Sequence, residues 1–327
     1  MRLLQVCNVG RIVGGTAACA WTVTRALPEG EHHVAFLSPA TNDTRQAFAT
    51  ATVHEWNCVH AKSVRAIKPD VVLLHNTAVD RCEWIDAGLT IQYVHSRGRR
   101  APTDITVYCS RWLAEECGIS AANVNNSVLY QAVPKPPRQE PLERRELRDR
   151  IIVGRLCTPT PAKWPAELPA FYERLASRHP EVDWEFVGCP AAMRATLSEA
   201  CGGRARFLAA GWEARTHVWR WDALLYHHPT LTESFGRTVA EAMRAGCIPI
   251  VDDRGGFREQ VAPGAGWLCG PLEEFDAALI ALCDPKSRRE VSQAAMAHAD
   301  AAFSLARFRR DLLQVIRSGI RDCGSHR

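Results

Sequence analysis

The chain of 327 residues is long enough to form two domains with separate hydrophobic cores. Its 40 basic and 36 acidic residues give a net charge of +4, which argues against the strong basic bias of a nucleic-acid-binding protein. No apolar run reaches the roughly 20 residues of a membrane-spanning helix, and the first residues lack the apolar core of a signal peptide. We therefore expect a cytoplasmic protein with no transmembrane segment and no nucleic-acid partner.

The chain contains 13 cysteines, none of them in C-x-x-C spacing. An odd count in a chain of this kind argues against a disulfide framework, and the spacing of a zinc site is absent. Several cysteines lie in apolar, strand-like runs, where cysteine packs as a small hydrophobic group. We expect buried free thiols.

Short apolar runs alternate with helix-like segments throughout, a pattern typical of parallel α/β architecture. In the first half of the chain the predicted strands are residues 3–7, 33–37, 71–74, 90–94, 105–109 and 127–130. Residues 134–149 are rich in proline and charge and are predicted to be a linker. In the second half the predicted strands are residues 151–153, 184–187, 205–208, 223–226, 247–251 and 266–268.

The two series predict two Rossmann-like domains, residues 1–133 and 150–303, whose strands direct their carboxyl ends at a central cleft. Residues 304–327 carry apolar side chains at helical spacing and predict a terminal helix. The sequence leaves open whether this helix crosses back onto the first domain or packs only on its own.

The most informative segment is residues 231–261, LTESFGRTVAEAMRAGCIPIVDDRGGFREQV. Glu233 comes just before a predicted helix, and Glu241 lies inside that helix. The N–H groups and positive dipole end of a helix start attract phosphate, and Gly236 lets a ligand approach the backbone. At about 1.5 Å per residue, Glu241 lies roughly 6–8 Å beyond this anion site, about the distance from a diphosphate to its ribose.

This segment therefore predicts a nucleotide-sugar site. Glu233 would bind sugar hydroxyls and Glu241 the ribose hydroxyls. The backbone amides predicted to bind diphosphate are those of Ser234, Phe235, Gly236 and Arg237. The alternative is an ordinary α/β helix that carries two glutamates.

The motif E-S-F-G-x-x-x-x-E-A-M-x-x-G, followed by P-I-V and by G-G-F-R-E at 255–259, resembles the signature of retaining GT-B glycosyltransferases of family 4, the glycosyl transferases group 1. Residues 153–156 (V-G-R-L) with Lys163 resemble the family's G-R-L…K segment. Gly14-Gly15 resembles its N-terminal glycine loop. His95 falls where the family often carries an active-site histidine.

The resemblance implies a GT-B fold and a retaining, hexosyltransferase-type enzyme. Such an enzyme moves a sugar from a nucleotide-diphosphate donor, here a UDP- or GDP-sugar, to a hydroxyl of a small-molecule or glycan acceptor. The implied mechanism is front-side displacement without a cofactor. The first domain would bind the acceptor and the second the donor.

The resemblance assigns Arg155 and Lys163 to the leaving diphosphate, where fixed cations stabilise the charge of the transition state. The chain has no D-x-D motif, and the adjacent Asp252 and Asp253 would point to opposite faces of a strand, so we expect no metal ion. Lys163 follows Arg155 by eight residues, more than in the family. A solvated loop lysine is therefore the alternative.

By the same resemblance, His95, Gly14 and Gly15 would complete the site from the first domain upon closure. A histidine satisfied within the core and a plain structural turn are the alternatives. Gln131-Ala132 replaces the asparagine-glycine that the family carries before the linker, which puts the role of this segment in doubt.

Two other functions stay open. One is a nucleotide-sugar 2-epimerase on the same fold, against which the E-S-F-G motif argues. The other is a non-catalytic GT-B subunit that binds a partner, for which the altered lysine spacing and the short chain argue. The sequence identifies neither the sugar, the base nor the acceptor.

Overall fold

The computed structural model describes residues 1–120, 122–124, 128–138 and 149–324, with side chains up to residue 321. The described chain divides into two compact units. The first comprises Met1–Val133 together with the chain from Phe303 on, and the second comprises Pro134–Ala302. Residues 139–148 of the predicted linker and residue 127 of one predicted strand lie outside the described residues.

The first unit is built on a parallel sheet. Its strands are β1 (Arg2–Cys7), β2 (Glu31–Phe36), β3 (Thr52–Glu55), β4 (Val71–His75), β5 (Leu89–Val94) and β6 (Ile105–Tyr108). The helices between them and after β6 are α1 (Gly15–Ala26), α2 (Asn42–Ala47), α3 (Ala61–Ile67) and α4 (Arg111–Glu116).

The second unit repeats this architecture. Its strands are β7 (Ile151–Leu156), β8 (Val182–Val187), β9 (Ala205–Leu208), β10 (Ala223–Tyr226), β11 (Ile248–Asp252) and β12 (Trp267–Cys269). Its helices are α5 (Leu168–Arg178), α6 (Ala191–Ala200), α7 (Arg237–Arg244), α8 (Phe257–Gln260), α9 (Leu272–Cys283) and α10 (Pro285–Ala302).

The strand order is β3-β2-β1-β4-β5-β6 in one sheet and β12-β11-β10-β7-β8-β9 in the other. Each sheet therefore begins at an inner strand, β1 or β7, and is extended first to one side and then to the other. In such sheets ligands bind outside the carboxyl ends of the strands, at the point where the order reverses. These points lie at the carboxyl ends of β1 and β4 and at the carboxyl ends of β7 and β10. They are called the β1–β4 edge and the β7–β10 edge below.

The inner strands β4 and β5 are buried along their whole length because helices cover both faces of a parallel sheet. All five residues of β4 are buried, as are all six of β5. Strand β3 has the sequence Thr-Val-His-Glu and none of its residues is fully buried. It forms an edge of the sheet without an apolar run, which is why the sequence did not predict it.

The terminal helix, α11 (Leu305–Gly324), packs within the first unit. Arg309 Nη1 donates to the carbonyl of Ala26, at the end of α1, at 2.9 Å. Gly319 approaches the sheet so closely that a Cβ there would lie 2.4 Å from Ile105 Cδ1 and 2.8 Å from Leu89 Cδ1. The sequence left open whether this helix packs on the first domain or on the second. Both of these contacts are with the first unit.

Within the described residues, no helix combines the length and apolar character needed to cross a bilayer. The cysteines whose side chains are described are all free thiols, and most of them are buried.

Candidate active site

Arg155 is the fifth residue of β7 and is only 1% exposed. Its Nη1 donates to the carbonyl of His227 and its Nη2 to that of Lys163, both at 2.9 Å. The guanidinium also lies over the rings of Trp164 and Tyr226, with centroids 5.2 and 4.7 Å away. In this conformation Arg155 positions the loop that carries Lys163, and direct contact with a diphosphate stays a prediction.

Lys163 ends a short 3₁₀ turn and pairs with Glu233 through Nζ and Oε1. The Tyr226 hydroxyl donates to the same oxygen at 2.7 Å. Burial, and next the Glu233 charge, raise the pKa of Tyr226, so its hydroxyl remains a donor. The side chains of Lys163 and Glu233 are 28% and 20% exposed. Solvent therefore reaches a cation and a carboxylate that are already in contact.

The loop between β10 and Glu233 is held by His228. Its Nδ1 accepts hydrogen bonds from the backbone N–H groups of Thr230 and Leu231, at 3.2 and 2.8 Å. A ring that accepts at Nδ1 carries its proton at Nε2, and Nε2 lies 3.0 Å from the carbonyl of Ala162. Burial lowers the pKa of His228, which keeps this neutral form. One imidazole thus joins the Lys163 turn to the Glu233 loop.

Asp252, at the end of β11, holds the same loop from the other side. Its Oδ1 contacts His227 Nδ1 at 2.7 Å, and its Oδ2 accepts from the backbone of His228 at 2.8 Å and from Arg254 at 3.0 Å. Asp253 pairs with Arg258 at 2.8 Å. Both aspartates are therefore already partnered by protein groups.

Gly236 begins helix α7 in the left-handed region, at φ 86° and ψ 58°. A Cβ there would lie 2.4 Å from Phe257 Cε1. Only glycine satisfies both demands, so Gly236 is required by backbone conformation and packing before any ligand binds. Phe235 is 3% exposed and belongs to the core through its side chain. Ligand binding through the amides at this helix start stays a prediction.

The glycine pair after β11 also has a packing role. Gly255 has φ 58°, and a Cβ there would lie 2.3 Å from Thr232 Cγ2. A Cβ on Gly256 would lie 2.5 Å from the Ser234 carbonyl, and its N–H donates to the Glu233 carbonyl at 2.9 Å. The glycine pair therefore lets two loops meet backbone to backbone and fixes Glu233.

Glu241 lies inside α7 and is 8% exposed. Burial raises the pKa of its carboxyl group, and the charges of Arg237 and Arg215 oppose this shift. Arg237 Nη2 is 3.6 Å from Glu241 Oε1, one helical turn away. A buried carboxylate beside an arginine can accept hydrogen bonds from neutral hydroxyls.

The remaining predicted residues lie in the first unit. Gly14 is the N-cap of α1 with φ −80° and ψ 138°, a conformation that other residues adopt, and Gly15 is the first residue of the helix. His95 follows β5, and its Nδ1 lies 2.8 Å from Gln131 Nε2. Gln131, which departs from the family pattern, therefore contacts the predicted active-site histidine.

Thus Lys163 contacts Arg155 through its backbone carbonyl and Glu233 through its side chain, despite the long spacing before the lysine. Sequence reasoning missed Tyr226 and Gln131. Tyr226 looked like the last apolar residue of a strand, and only the position of its hydroxyl shows a role. Gln131 was noted only as a departure from the family.

Part of the chain matches a known protein family. Residues 172–298 match the family described as glycosyl transferases group 1. The phosphatidyl-myo-inositol mannosyltransferase of Mycolicibacterium smegmatis is 31% identical over 199 residues, which are 59% of this chain and 50% of that protein. The chain thus spans about half the length of this curated relative.

Solved structures resemble the whole chain at lower identity. The Anabaena protein Alr3699/HepE in complex with UDP-glucose has a TM-score of 0.75 at 17% identity, with 97% of this chain and 100% of that chain covered. A putative UDP-N-acetylglucosamine 2-epimerase from Listeria monocytogenes has a TM-score of 0.65 at 13% identity, with 98% and 97% covered. The chain has the GT-B fold. Because a structure named as a putative epimerase shares this fold, the fold by itself does not choose between transfer and epimerisation.

Proposed function

We propose that this protein is a retaining glycosyltransferase that moves a sugar from a nucleotide-diphosphate donor to an acceptor hydroxyl. The observation that carries the proposal is the joined cluster of Lys163, Glu233 and Tyr226 at the β7–β10 edge. This edge is where an α/β sheet of this strand order binds its ligand. The match of residues 172–298 to the glycosyl transferases group 1 supports the assignment.

Glu233 is arranged to receive a sugar. Lys163 and Tyr226 both contact Oε1, and Oε2 has no hydrogen-bond partner in the described part of the chain. The two donors on Oε1 hold the carboxylate in place. Oε2 is therefore pre-oriented to accept a hydroxyl of the transferred sugar. In the proposal Lys163 keeps this contact and turns its remaining N–H groups toward the diphosphate.

The nucleotide would bind along α7. The backbone N–H groups from Ser234 to Arg237 face the diphosphate at the positive end of the helix dipole, and Glu241 accepts the ribose hydroxyls. UDP is the first nucleotide to test because a similar structure contains UDP-glucose, and GDP is the second. The catalytic parts that we assign to His95, Gly14 and Gly15 rest on the sequence resemblance.

The proposed reaction is a front-side displacement. The acceptor oxygen forms a bond to the anomeric carbon on the face from which the diphosphate leaves, and the bond from that carbon to phosphate breaks. The departing phosphate oxygen takes the acceptor proton. Lys163 stabilises the charge gained by the diphosphate, in the role that a metal ion has in D-x-D enzymes. The partners of Asp252 and Asp253 support metal independence, since each aspartate is already paired with arginine.

The test begins with calorimetric binding of UDP, GDP, ADP, TDP and CDP, each with and without EDTA. We expect one nucleotide to bind in the micromolar range, with the same affinity in EDTA. Glu241→Ala should weaken this binding, and Glu233→Ala should mainly lower turnover. Lys163→Ala should also lower turnover, because it removes the cation that faces the leaving diphosphate. Its control is Lys286→Ala, a change of an exposed helix lysine. Wild-type donor affinity and turnover in both glutamate variants would contradict the assignment.

Product analysis separates the proposal from its alternatives. Transfer with retention gives a product with the same anomeric configuration as the donor, which NMR measures directly. An isomerised sugar formed from donor alone would instead identify a 2-epimerase. A protein that binds nucleotide but consumes no donor would favour the non-catalytic subunit.

A further inference from the structure

Two histidines meet at the carboxyl ends of β4 and β5 in the first unit, next to the point where its strand order reverses. His75 is the last residue of β4 and is completely buried, and His95 follows β5. His75 Nδ1 and His95 Nε2 lie 3.1 Å apart, and the two rings are nearly coplanar, with an interplanar angle of 6°. This pair could not be predicted from the sequence because its members are 20 residues apart.

Each ring is also bonded at its other nitrogen, in both cases to a glutamine amide. Gln131 Nε2 lies 2.8 Å from His95 Nδ1, and His75 Nε2 lies 3.0 Å from Gln5 Oε1. An amide nitrogen only donates and an amide oxygen only accepts. The four side chains therefore form one directed chain, in which Gln131 donates to His95, His95 to His75, and His75 to Gln5. The described groups give Gln5 Nε2 no partner, so the chain ends there.

This chain allows each imidazole one proton. If His95 gained a second proton, at Nδ1, an N–H group would face the N–H group of Gln131. If His75 gained one, two N–H groups would face each other across the 3.1 Å contact. Burial also lowers the pKa of His75 to about 3, in agreement with a neutral ring.

The geometry separates this hydrogen bond from a metal site. Cys19 Sγ lies within 4.8 Å of the two imidazole nitrogens, so the three residues could be taken for a zinc cluster. Two ligands of a tetrahedral ion point their lone pairs at a third point between them. Here the ring centroids are 5.4 Å apart, which is about as far apart as two imidazoles with a 3.1 Å contact between their nitrogens can be. The two nitrogens must therefore lie on the line that joins the centroids. The two nitrogens therefore point at each other, as in a hydrogen bond.

A second histidine pair in the same sheet ends on a different group. His33 Nδ1 and His54 Nε2 are also 3.1 Å apart with centroids 5.4 Å apart, but His33 Nε2 contacts the carboxylate of Glu31. A carboxylate accepts from an N–H group on the ring, whereas the N–H group of the Gln131 amide opposes a proton on His95 Nδ1. The difference between the pairs lies in the groups at their ends.

We infer that Gln131, His75 and Gln5 are positioning residues that hold His95 neutral, with its proton on Nε2 and its ring plane fixed. Titratable groups of the described residues that also lie beside the pair include Cys19 of α1, Tyr93 of β5 and Cys109 after β6. Tyr93 directs its hydroxyl away, to the Leu129 carbonyl at 2.6 Å. His95 is therefore a fixed neutral group and takes no proton from a substrate. Its place in the reaction rests on the proposed function, but its protonation does not.

The test is nitrogen NMR of the full chain labelled at histidine, with His95 assigned from the spectrum of His95→Gln. We expect one protonated nitrogen, Nε2, and one unprotonated nitrogen, Nδ1, unchanged between about pH 6 and 8. A doubly protonated ring in that range, or a proton on Nδ1, would overturn the inference. Where His95→Gln fails to fold, the contact of His95 with Gln131 assigns the His95 signals in the wild-type spectrum.

Gln131→Glu is the matched perturbation because it keeps the shape and replaces the donor by an acceptor. We expect His95 to gain a proton on Nδ1 at neutral pH. Gln46→Glu, the same change at an exposed position of α2, should leave the His95 signals unchanged. An unchanged His95 spectrum in Gln131→Glu would also refute the inference.

The NMR measurement needs no substrate, so it is independent of the proposed function. An inactive wild-type protein with the expected spectrum would count against the glycosyltransferase and leave the hydrogen-bond chain intact. In an active protein, Gln131→Glu should lower kcat about tenfold and add a pH-dependent limb to the kcat profile that wild type lacks. A profile equal to that of Gln46→Glu would show that the charge of His95 does not matter to turnover.

Discussion

Replacing Gly236 with alanine tests whether the start of helix α7 is as tightly built as the structure indicates. Two separate costs apply to this substitution. The backbone sits at φ 86°, where a residue with a Cβ is strained, and the new methyl group would lie 2.4 Å from Phe257 Cε1. A nearby glycine, Gly264, isolates the first cost. It has φ 78°, and nothing lies within 4 Å of a Cβ built there.

The two costs can be estimated separately. A non-glycine residue in the left-handed region costs about 1–2 kcal/mol, so Gly264→Ala should lower the free energy of unfolding by that amount. Gly236→Ala adds the displacement of Phe257, which is 1% exposed and packs edge-on against Tyr226 with centroids 5.2 Å apart. Overpacking of a buried site costs about 1–3 kcal/mol. The total for Gly236→Ala is therefore about 2–5 kcal/mol.

The assay is urea unfolding of both variants and the wild type, monitored by circular dichroism and by tryptophan fluorescence. Because the chain has two units, each transition must be fitted separately. The difference between the two variants reports the contact with Phe257 alone. Loss of nucleotide affinity in Gly236→Ala but not in Gly264→Ala would further connect this packing to the proposed donor site.

Equal unfolding free energies for the two variants, within about 0.5 kcal/mol, would refute the reasoning. That result would mean that Phe257 moves aside freely and that the start of α7 is not fixed by packing. A stabilised Gly236→Ala would refute the left-handed conformation as well.

Three further predictions concern single side chains. Tyr226→Phe removes one hydrogen bond to the Glu233 carboxylate, worth about 1.5–3 kcal/mol when fully buried; because that carboxylate is 20% exposed, we expect a loss near the low end, about tenfold in kcat/KM. The control is Tyr172→Phe, which removes a hydroxyl that lies beside Arg155 rather than Glu233. It should change kcat/KM less than twofold, and equal losses in the two tyrosine variants would contradict the prediction. Burial raises the folded-state pKa of Glu241, so its favourable contribution to stability is present below the unfolded pKa and is lost as pH rises through the folded pKa. Glu241→Gln should therefore gain stability relative to wild type as the pH rises from acidic to neutral. A difference in urea midpoints that stays constant with pH would argue against this prediction. Burial lowers the folded-state pKa of His75 to about 3, so its contribution to the free energy of unfolding is lost as pH falls from about 6.5 toward 3. His75→Gln should therefore make the free energy of unfolding fall less steeply with decreasing pH in this range. The same slope in the variant and the wild type would contradict the prediction.

The fold was largely predictable because it depends on patterns along the chain. Apolar runs of strand length that alternate with helix-like segments indicate a parallel sheet. The predicted strands at 205–208 and 223–226 coincide with β9 and β10. Strand β3 was missed because an exposed edge strand needs no apolar run, so its residues carry no pattern.

The candidate site was only partly predictable. The glutamate motif at 233 and 241 is local, since one helix start carries both residues, and the sequence predicted a nucleotide-sugar site from it. The relation of Lys163 to Glu233 joins positions 70 residues apart. Residue spacing within the Lys163 loop could not decide whether the lysine reaches the carboxylate, because that depends on how Arg155 and His228 hold the loop.

The sequence by itself determined the two parallel sheets, the helix start after Glu233 and the types of residue available for chemistry. It did so because backbone geometry and hydrophobic period act over short stretches of chain. The tertiary structure alone decided which of these residues touch: Lys163 and Tyr226 on one oxygen of Glu233, and Gln131 and His75 on the two nitrogens of His95. These contacts depend on strand order and loop packing, which bring together residues that are distant in the chain.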